Sequence, residues 1–389
     1  MTKTKIGILT AASMQMSSIG LVGIVPMAIN HYSDVNPTVV QTAFTTPMLM
    51  AVVSSLASGV LSAKLGKRAL LLFGIAMIGI CGIMPGLISL SFPLLVLTMA
   101  GLGIGIGCIL PNSAGLIADH FSGHERSDMM GKQSASVSTG KMLIAFLGGV
   151  LMAVGWRNAF FVFLYAVPIF IINLFCLPKD KSTAISPGVK PPAGTLKLNG
   201  DIIVICIITF FYSMMLGTFN ANSGLLVVER NLGDPAIANF ATSAMSLIGI
   251  MTGLSYGLIA KKVKNATLPA GLGLFALGMA IAGNSSSVLL FYIGCILAGI
   301  SVSIVMAALM SHAAQVAGRN SVGFVVSLAA AVNGLGNFLA PIIINPVSQA
   351  IAGGTITSRF SVGAVIISIT FAAASFYMSR YKNKQTLKT

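Results

Sequence analysis

Apolar stretches of about 20 residues recur along the whole chain, each long enough to cross a hydrocarbon core roughly 30 Å thick. Twelve can be read, near residues 6–30, 37–60, 68–90, 93–118, 131–154, 158–177, 201–227, 235–259, 267–284, 287–312, 321–345 and 358–379. Backbone inside lipid must satisfy its own N–H and C=O groups, which restricts such segments to helices. Charged residues are 8% of the chain, against about 25% in ordinary globular domains. The expected fold class is an all-α membrane protein with twelve transmembrane helices. Lys3 and Lys5 precede the first apolar run, which exceeds the roughly 7–15 residues of a secretory signal core. That run is therefore expected to stay as a first helix.

The net charge of +15 invites a nucleic-acid partner, but its placement argues against one. With the N-terminus inside and the segments alternating, only Arg157, Arg230 and Arg359 of the 23 Lys and Arg fall in outer loops. Lys141 lies within a segment, and the others line the cytoplasmic side. This is the positive-inside pattern, so the basicity reports topology and contact with a lipid bilayer carrying anionic headgroups. Both termini are expected in the cytoplasm. The five cysteines all fall in apolar segments with no CxxC pair or His/Cys cluster, so neither disulfides nor a metal site nor a cofactor is expected.

The chain divides at "LPKDKSTAISPGVKPPAGTLKLNG", residues 177–200, its longest polar, Pro/Gly-rich stretch. The expected domains are an N-terminal six-helix bundle over 1–178, a cytoplasmic linker over 179–200 and a C-terminal six-helix bundle over 201–389. A shift of 198 residues lays Pro37 on Pro235, Ala43 on Ala241, Leu56 on Leu254, Gly59 on Gly257 and Lys64 on Lys262. After the loop "HFSGHERS" the shift becomes 192, and Lys141 then meets Asn333. Two parallel six-helix repeats are one known plan of secondary transporters, with substrate near mid-membrane.

"GVLSAKLGKR", residues 59–68, resembles the signature loop between helices 2 and 3 of the major facilitator superfamily. Gly59, Leu61, Lys64, Gly66, Lys67 and Arg68 fit it, while Ala63 stands where an acid is expected. "GWRNAFF" at 155–161 and the internal repeat extend the resemblance over essentially the whole chain. It implies the major facilitator fold, with two pseudo-symmetric six-helix bundles rocking about one site. The stretch 125–178 looks like the twelve-helix bacterial efflux-type branch, which implies a multi-pass protein of the bacterial cytoplasmic (inner) membrane. Two departures matter. "LTMAGLGIGIGCILP" lacks the helix-4 arginine common in that branch, and Ile144-Ala145 replace the Gly-Pro expected before Gly148-Gly149 in antiporters. Gly59, Lys64, Gly66, Arg68 and Asp119 are the candidate conformational switch, with Asp119 expected to pair with Lys64 or Arg68 or to stay solvated.

"STGKMLIAFLGG", residues 138–149, sets Lys141 inside an uncharged run, where insertion scales charge roughly 2.5–3.5 kcal/mol for a mid-membrane cation. At helical spacing its face reads Ser134, Ser138, Lys141, Ala145, Gly148, small and polar as suits protein or water rather than lipid. Two readings stay open. Lys141 meets an anionic substrate group or exchanges a proton, or it is a snorkelling, internally bonded lysine that stabilises one conformer. The resemblance implies that helices 5 and 11 flank a central cavity, with Lys141 and Asn333 across it. Further substrate-binding candidates are Asn337, Gln15, Tyr212, Asn220 and Asn222, with Ser18 beside Gln15. "GTFNANSG", 217–224, is rich in helix-weakening residues and has two readings, an unwound stretch exposing backbone groups or polar residues that merely bridge helices. His312 and Gln315 suit a gate or loop role at an inner helix end.

No Asp or Glu occupies a helix middle: Asp34, Asp119, Asp201 and Glu229 all fall near helix ends. Proton antiport would need Lys141, His31 or His312 to carry the proton, whereas anion exchange needs no such carboxylate. An enzyme would need converging acid, base or metal groups, yet the sequence has no HExxH and no intramembrane carboxylate pair. The glycines of "GLGIGIG", 101–107, lie inside a helix rather than after a strand, so they serve packing. A sensor would carry a soluble domain. The expected function is secondary transport of a small amphiphilic or anionic molecule by alternating access, as efflux. The alternative is an importer or exchanger of organic anions with Lys141 as counter-charge. Expected partners are a small-molecule substrate, the bilayer and protons as a candidate coupling ion, and a monomer is expected.

Overall fold

The computed structural model describes residues 2–177, 200–263, 266–316 and 322–386. Most of the linker read at 179–200 lies outside the described residues, as do Lys264, Arg319 and Lys388. The described residues form twelve successive helical segments, numbered here in chain order. The first, α1, is interrupted: Thr2–Ala12, then a 3-10 stretch Ser17–Ile24, then Val25–His31. Next come α2 (Pro37–Leu65), α3 (Lys67–Leu87), α4 (Phe92–His120), α5 (Gly123–Met152) and α6, which opens as a 3-10 helix at Trp156–Tyr165 and continues over Ala166–Cys176. The second set is α7 (Gly200–Glu229), α8 (Ala236–Val263), α9 (Thr267–Gly283), α10 (Val288–Val316), α11 (Val322–Ala352) and α12 (Ile356–Thr386). Eleven are long and apolar enough to span a membrane; α9 is apolar but only 17 residues long.

Two compact units result, Met1–Val189 with Pro235–Ser243, and Lys190–Asp234 with Ala244–Thr389. The first turns of α8 thus group with α1–α6, while the rest of that helix groups with α7 and α9–α12.

Small residues set the helix crossings, as expected where lipid offers no hydrophobic drive between helices. In the first unit a Cβ on Gly103 would lie 2.5 Å from the Pro47 carbonyl, so α4 lies directly on α2. Gly74 and Gly105 likewise bring α3 and α4 backbone to backbone. The second unit repeats both devices. Gly299 of α10 abuts the Met245 backbone of α8, and Gly278 and Gly294 face each other between α9 and α10. Ser303 Oγ adds a bond to the Gly249 carbonyl at 2.7 Å. Pro47 and Met245 stand 198 residues apart, so the sequence repeat reappears as packing.

The turn at Gly66, within the loop read at 59–68, is one residue long. Gly66 has φ 84, a left-handed conformation that favours glycine, and it alone separates α2 from α3. The three arginines read from the sequence as outer-loop residues are anchored rather than loose. Arg157 donates to the Pro85 carbonyl and Ser89, Arg230 to the Gly283 carbonyl, and Arg359 to Asn222 Oδ1 at 2.9 Å.

One expectation is corrected. Residues 217–224 do not unwind; α7 is continuous through them. Thr218, Asn222 and Ser223 return their side-chain donors to carbonyls four residues back, and Gly217 admits Ala340 and Asn337 of α11. The interrupted helix is α1 instead, between Ala12 and Val25.

Candidate functional site around Lys141

The break in α1 starts where the run "SMQMSSIG", 13–20, crowds polar residues and a glycine into an oily helix. Ser13 N still bonds four residues back, to Leu9, but Met14 and Gln15 bond three back, to Ala11 and Ala12 at 3.1 Å. The 3-10 stretch follows, with Leu21 outside helical dihedrals at φ −117, ψ 37. Side chains hold the break. Ser13 Oγ meets the Tyr165 hydroxyl at 2.6 Å, and Gln15 Nε2 donates to Ser113 Oγ at 2.8 Å, which also receives Gln133 Nε2.

Against this break lies α5. Ser136 Oγ donates to the Leu9 carbonyl at 2.6 Å, a Cβ on Gly140 would strike the Ser13 carbonyl, and Gly20 sits on Ile144 and Ala145. On another face of α5, Ser243 Oγ donates to the Met142 carbonyl at 2.7 Å, and the Phe240 ring meets Phe146 with centroids 5.7 Å apart. Asn239 closes the end of this contact nearest Gly23, accepting from Gly23 N at 2.8 Å. Residues 140, 144 and 148 therefore face α1, and 142, 146 and 149 face the start of α8. By helical register Lys141, with Ser138 and Ala145, lies between those two faces. Lys141 is half-buried, and among the described residues its ammonium group has neither an ion pair nor a hydrogen bond.

The second unit contains a matching crossing. A Cβ on Gly336 of α11 would strike Ser213 Oγ of α7, and Ala340 then meets Gly217. Gly140 and Gly336 are 196 residues apart, so by packing the partner of Lys141 is Asn337, one turn beyond the Asn333 given by the sequence shift. The helix bounds agree: α5 runs from Gly123 to Met152 and α11 from Val322 to Ala352, an offset well above 192. Asn337 is buried and donates to the Asn333 carbonyl at 3.0 Å; the Asn333 amide approaches Met306 Sδ at 3.7 Å.

The remaining candidates separate by environment. Tyr212 is fully buried with its ring against Phe275 at 5.3 Å, in an aromatic core with Phe219 and Phe360. Asn222 is fully buried and taken up by Arg359 and the Thr218 carbonyl. Asn220, almost buried, makes no side-chain hydrogen bond among the described residues. Gln15 belongs to the Ser113–Gln133 cluster behind the break.

Beside the α2–α3 turn of the first unit, Asp119 pairs with Lys67 at 2.6 Å rather than with Lys64 or Arg68. The reason is local. Lys67 is the first residue of α3 and lies over Gly115, where a Cβ would be 3.1 Å from its Cε, so its ammonium reaches the last turn of α4. That position also suits a cation, since carbonyls end the helix there. Arg68 instead donates to the Leu174 carbonyl at 2.6 Å, and Lys64 is exposed. Gly59 is exposed, and a Cβ there would meet nothing within 4 Å. His312 meets the Tyr377 hydroxyl at 3.3 Å. Sequence reasoning missed Ser17 and Asn239. The second could have been flagged as a lone amide in an apolar stretch, whereas nothing local distinguishes Ser17 from Ser18. Among the described residues no group of three His, Cys, Asp or Glu could hold a metal ion.

Residues 7–341 and 205–388 match the Major Facilitator Superfamily. The chain is 24% identical over 295 residues to the quinolone resistance protein NorA of Staphylococcus aureus, covering 73% of this chain and 74% of that one. It is 23% identical over 230 residues to the 3-(3-hydroxy-phenyl)propionate transporter of Escherichia coli, covering 58% of this chain and 56% of that one. The nucleoside transporter NupG superposes with a TM-score of 0.78 at 11% identity, over 97% of this chain and 100% of NupG, a likeness of fold. By sequence match and by fold together, the chain is a transporter rather than an enzyme and belongs to the Major Facilitator Superfamily.

Proposed function

We propose that the protein is a secondary transporter of the bacterial cytoplasmic membrane that exports a small amphiphilic or anionic molecule by alternating access, with Lys141 meeting the substrate. The observation that carries this reading is the half-buried Lys141 without a partner among the described residues. A mid-membrane cation usually faces protein or a wet path and finds a counter-charge. No Asp or Glu of the described residues stands mid-helix to supply it, which leaves an anionic substrate group as the natural partner. The likeness to NorA supports export. Coupling runs through Lys141 as well, since a bound anion or loss of a proton neutralises it.

A second reading, import or exchange of organic anions, draws on the same lysine and on the likeness to the 3-(3-hydroxy-phenyl)propionate transporter. Counterflow in proteoliposomes separates the two, with carboxylates set against lipophilic cations, with and without a pH gradient. Export coupled to protons requires flux that follows the gradient, whereas carboxylate uptake indifferent to pH supports exchange. In either case Lys141→Ala is expected to reduce flux to the level of protein-free vesicles while membrane insertion is unchanged. Full flux in that variant ends the reading.

A further inference from the structure

Three costly features meet in one place in the first unit. The first is the partnerless Lys141. The second is the 3-10 stretch of α1, which gives up regular helical bonding inside a membrane span. The third is a pair of buried hydroxyls, Ser17 Oγ and Ser18 Oγ, with no hydrogen-bond partner among the described residues; Ser17 is fully buried. Buried polar groups are nearly always paired, so an unpaired one calls for a reason. Serines elsewhere in helix interiors return to a carbonyl one turn back, as Ser223 does at 2.5 Å and Ser54 at 2.6 Å. Ser17 and Ser18 make no such bond.

Register brings the three together. Gly140 touches Ser13 and Ile144 touches Gly20, so α1 residues 13–20 lie along α5 residues 140–144, and Ser17 and Ser18 fall level with Lys141. A chain that keeps a cation, two unused donors and unwound backbone at one level holds the parts of an oxyanion site. We propose that Lys141, Ser17 and Ser18 form a subsite for the carboxylate of an amphipathic monocarboxylate, the ammonium supplying charge and the hydroxyls donating to the two oxygens. This rests on the reading that Lys141 meets substrate and narrows it to one class. A single mid-membrane cation among the described residues matches one negative charge, whereas a phosphate dianion would call for a second. In a 3-10 stretch residues three apart share a face, so Ser17 lies on the same face as Gly20, which meets Ile144 and Ala145 of α5, with Ser18 next to it in the chain.

The test uses purified full-length protein and a panel of monocarboxylates, from acetate to phenylpropionate, each beside its neutral amide. Binding is read by thermal shift and by competition in counterflow. At least one carboxylate is expected to stabilise the wild type at concentrations where its amide does not. The double variant Ser17→Ala/Ser18→Ala is expected to weaken that carboxylate at least tenfold, and to leave any amide binding unchanged. Alanine only removes an oxygen, so folding is retained, as gel filtration checks. Equal binding of carboxylate and amide, or no carboxylate binding at all, overturns the proposal. If Lys141→Ala loses binding while the double serine variant binds like wild type, the serine subsite falls and the Lys141 reading stands. If Lys141→Ala also binds like wild type, both fall.

Discussion

The crossing of α1 with α5 and the crossing of α7 with α11 start from the same device and end differently. In each, a glycine of the later helix lies on a serine of the earlier one, Gly140 on Ser13 and Gly336 on Ser213. Beyond that contact α7 stays helical, Thr218, Asn222 and Ser223 donate to carbonyls within the helix, and Asn337 donates to the Asn333 carbonyl. Beyond the same contact α1 passes into a 3-10 stretch, leaves Ser17 and Ser18 unbonded among the described residues, and has a lysine after the contacting glycine where the other crossing has an amide. Repeats share a packing solution, and the copy that departs from it at a cost in stability is where a role other than stability is to be sought.

The largest contrast is expected at the residues that follow the two glycines. Lys141→Ala should abolish transport with little loss of thermal stability, because no internal bond is broken. Asn337→Ala should do the reverse. It removes a buried amide bond, costing about 0.5–1.5 kcal/mol, and should leave most of the flux. The pair is read by counterflow and by melting in detergent. Comparable loss of flux in both would erase the functional asymmetry between the crossings.

The glycines themselves should behave alike. Gly140→Ala and Gly336→Ala each push a methyl into backbone or a serine hydroxyl that cannot easily move. Overpacking of this kind costs typically about 1–3 kcal/mol, so both should melt earlier by similar amounts. If only one does, the crossing is not a structural element common to the two units.

Much of this can be read in the sequence because membranes make patterns strict. Span number and the oddity of Lys141 follow from length and charge alone. What cannot be read depends on register. Gly, Thr and Asn weaken helices, which points to unwinding at 217–224, yet those side chains find carbonyls one turn back and the glycine serves contact with α11. The partner of Lys141 in the repeat is displaced by one turn, since apolar sequence offers few landmarks for counting through a helix. Asp119 meets Lys67 rather than Lys64 or Arg68 because Gly115 clears the way, a fact of two helices rather than of one motif. That pair is partly exposed, so Lys67→Ala should cost only about 0.2–1 kcal/mol in stability. A larger loss would mean that the pair is shielded from solvent in the assembled membrane protein.

The smallest effect on stability is expected at a pair the units share without visible use. Gly59 in α2 and Gly257 in α8, 198 residues apart, have nothing within 4 Å of a would-be Cβ, and exposed Leu56 and Leu254 flank them. Glycine inside a helix costs roughly 0.5–1 kcal/mol relative to alanine, and no contact here offsets it. Gly59→Ala and Gly257→Ala should therefore raise the melting temperature slightly. If the two glycines are kept for an approach that occurs only in another state of the transport cycle, both variants should also slow turnover severalfold while leaving substrate affinity unchanged. A gain in stability with slower turnover identifies a position shaped by a second conformation, because a side chain that fits the observed one cannot otherwise impede it. Unchanged turnover in both would reduce the pair to lipid-facing residues and leave Gly66, with its left-handed backbone, as the part of the 59–68 motif whose glycine the fold requires.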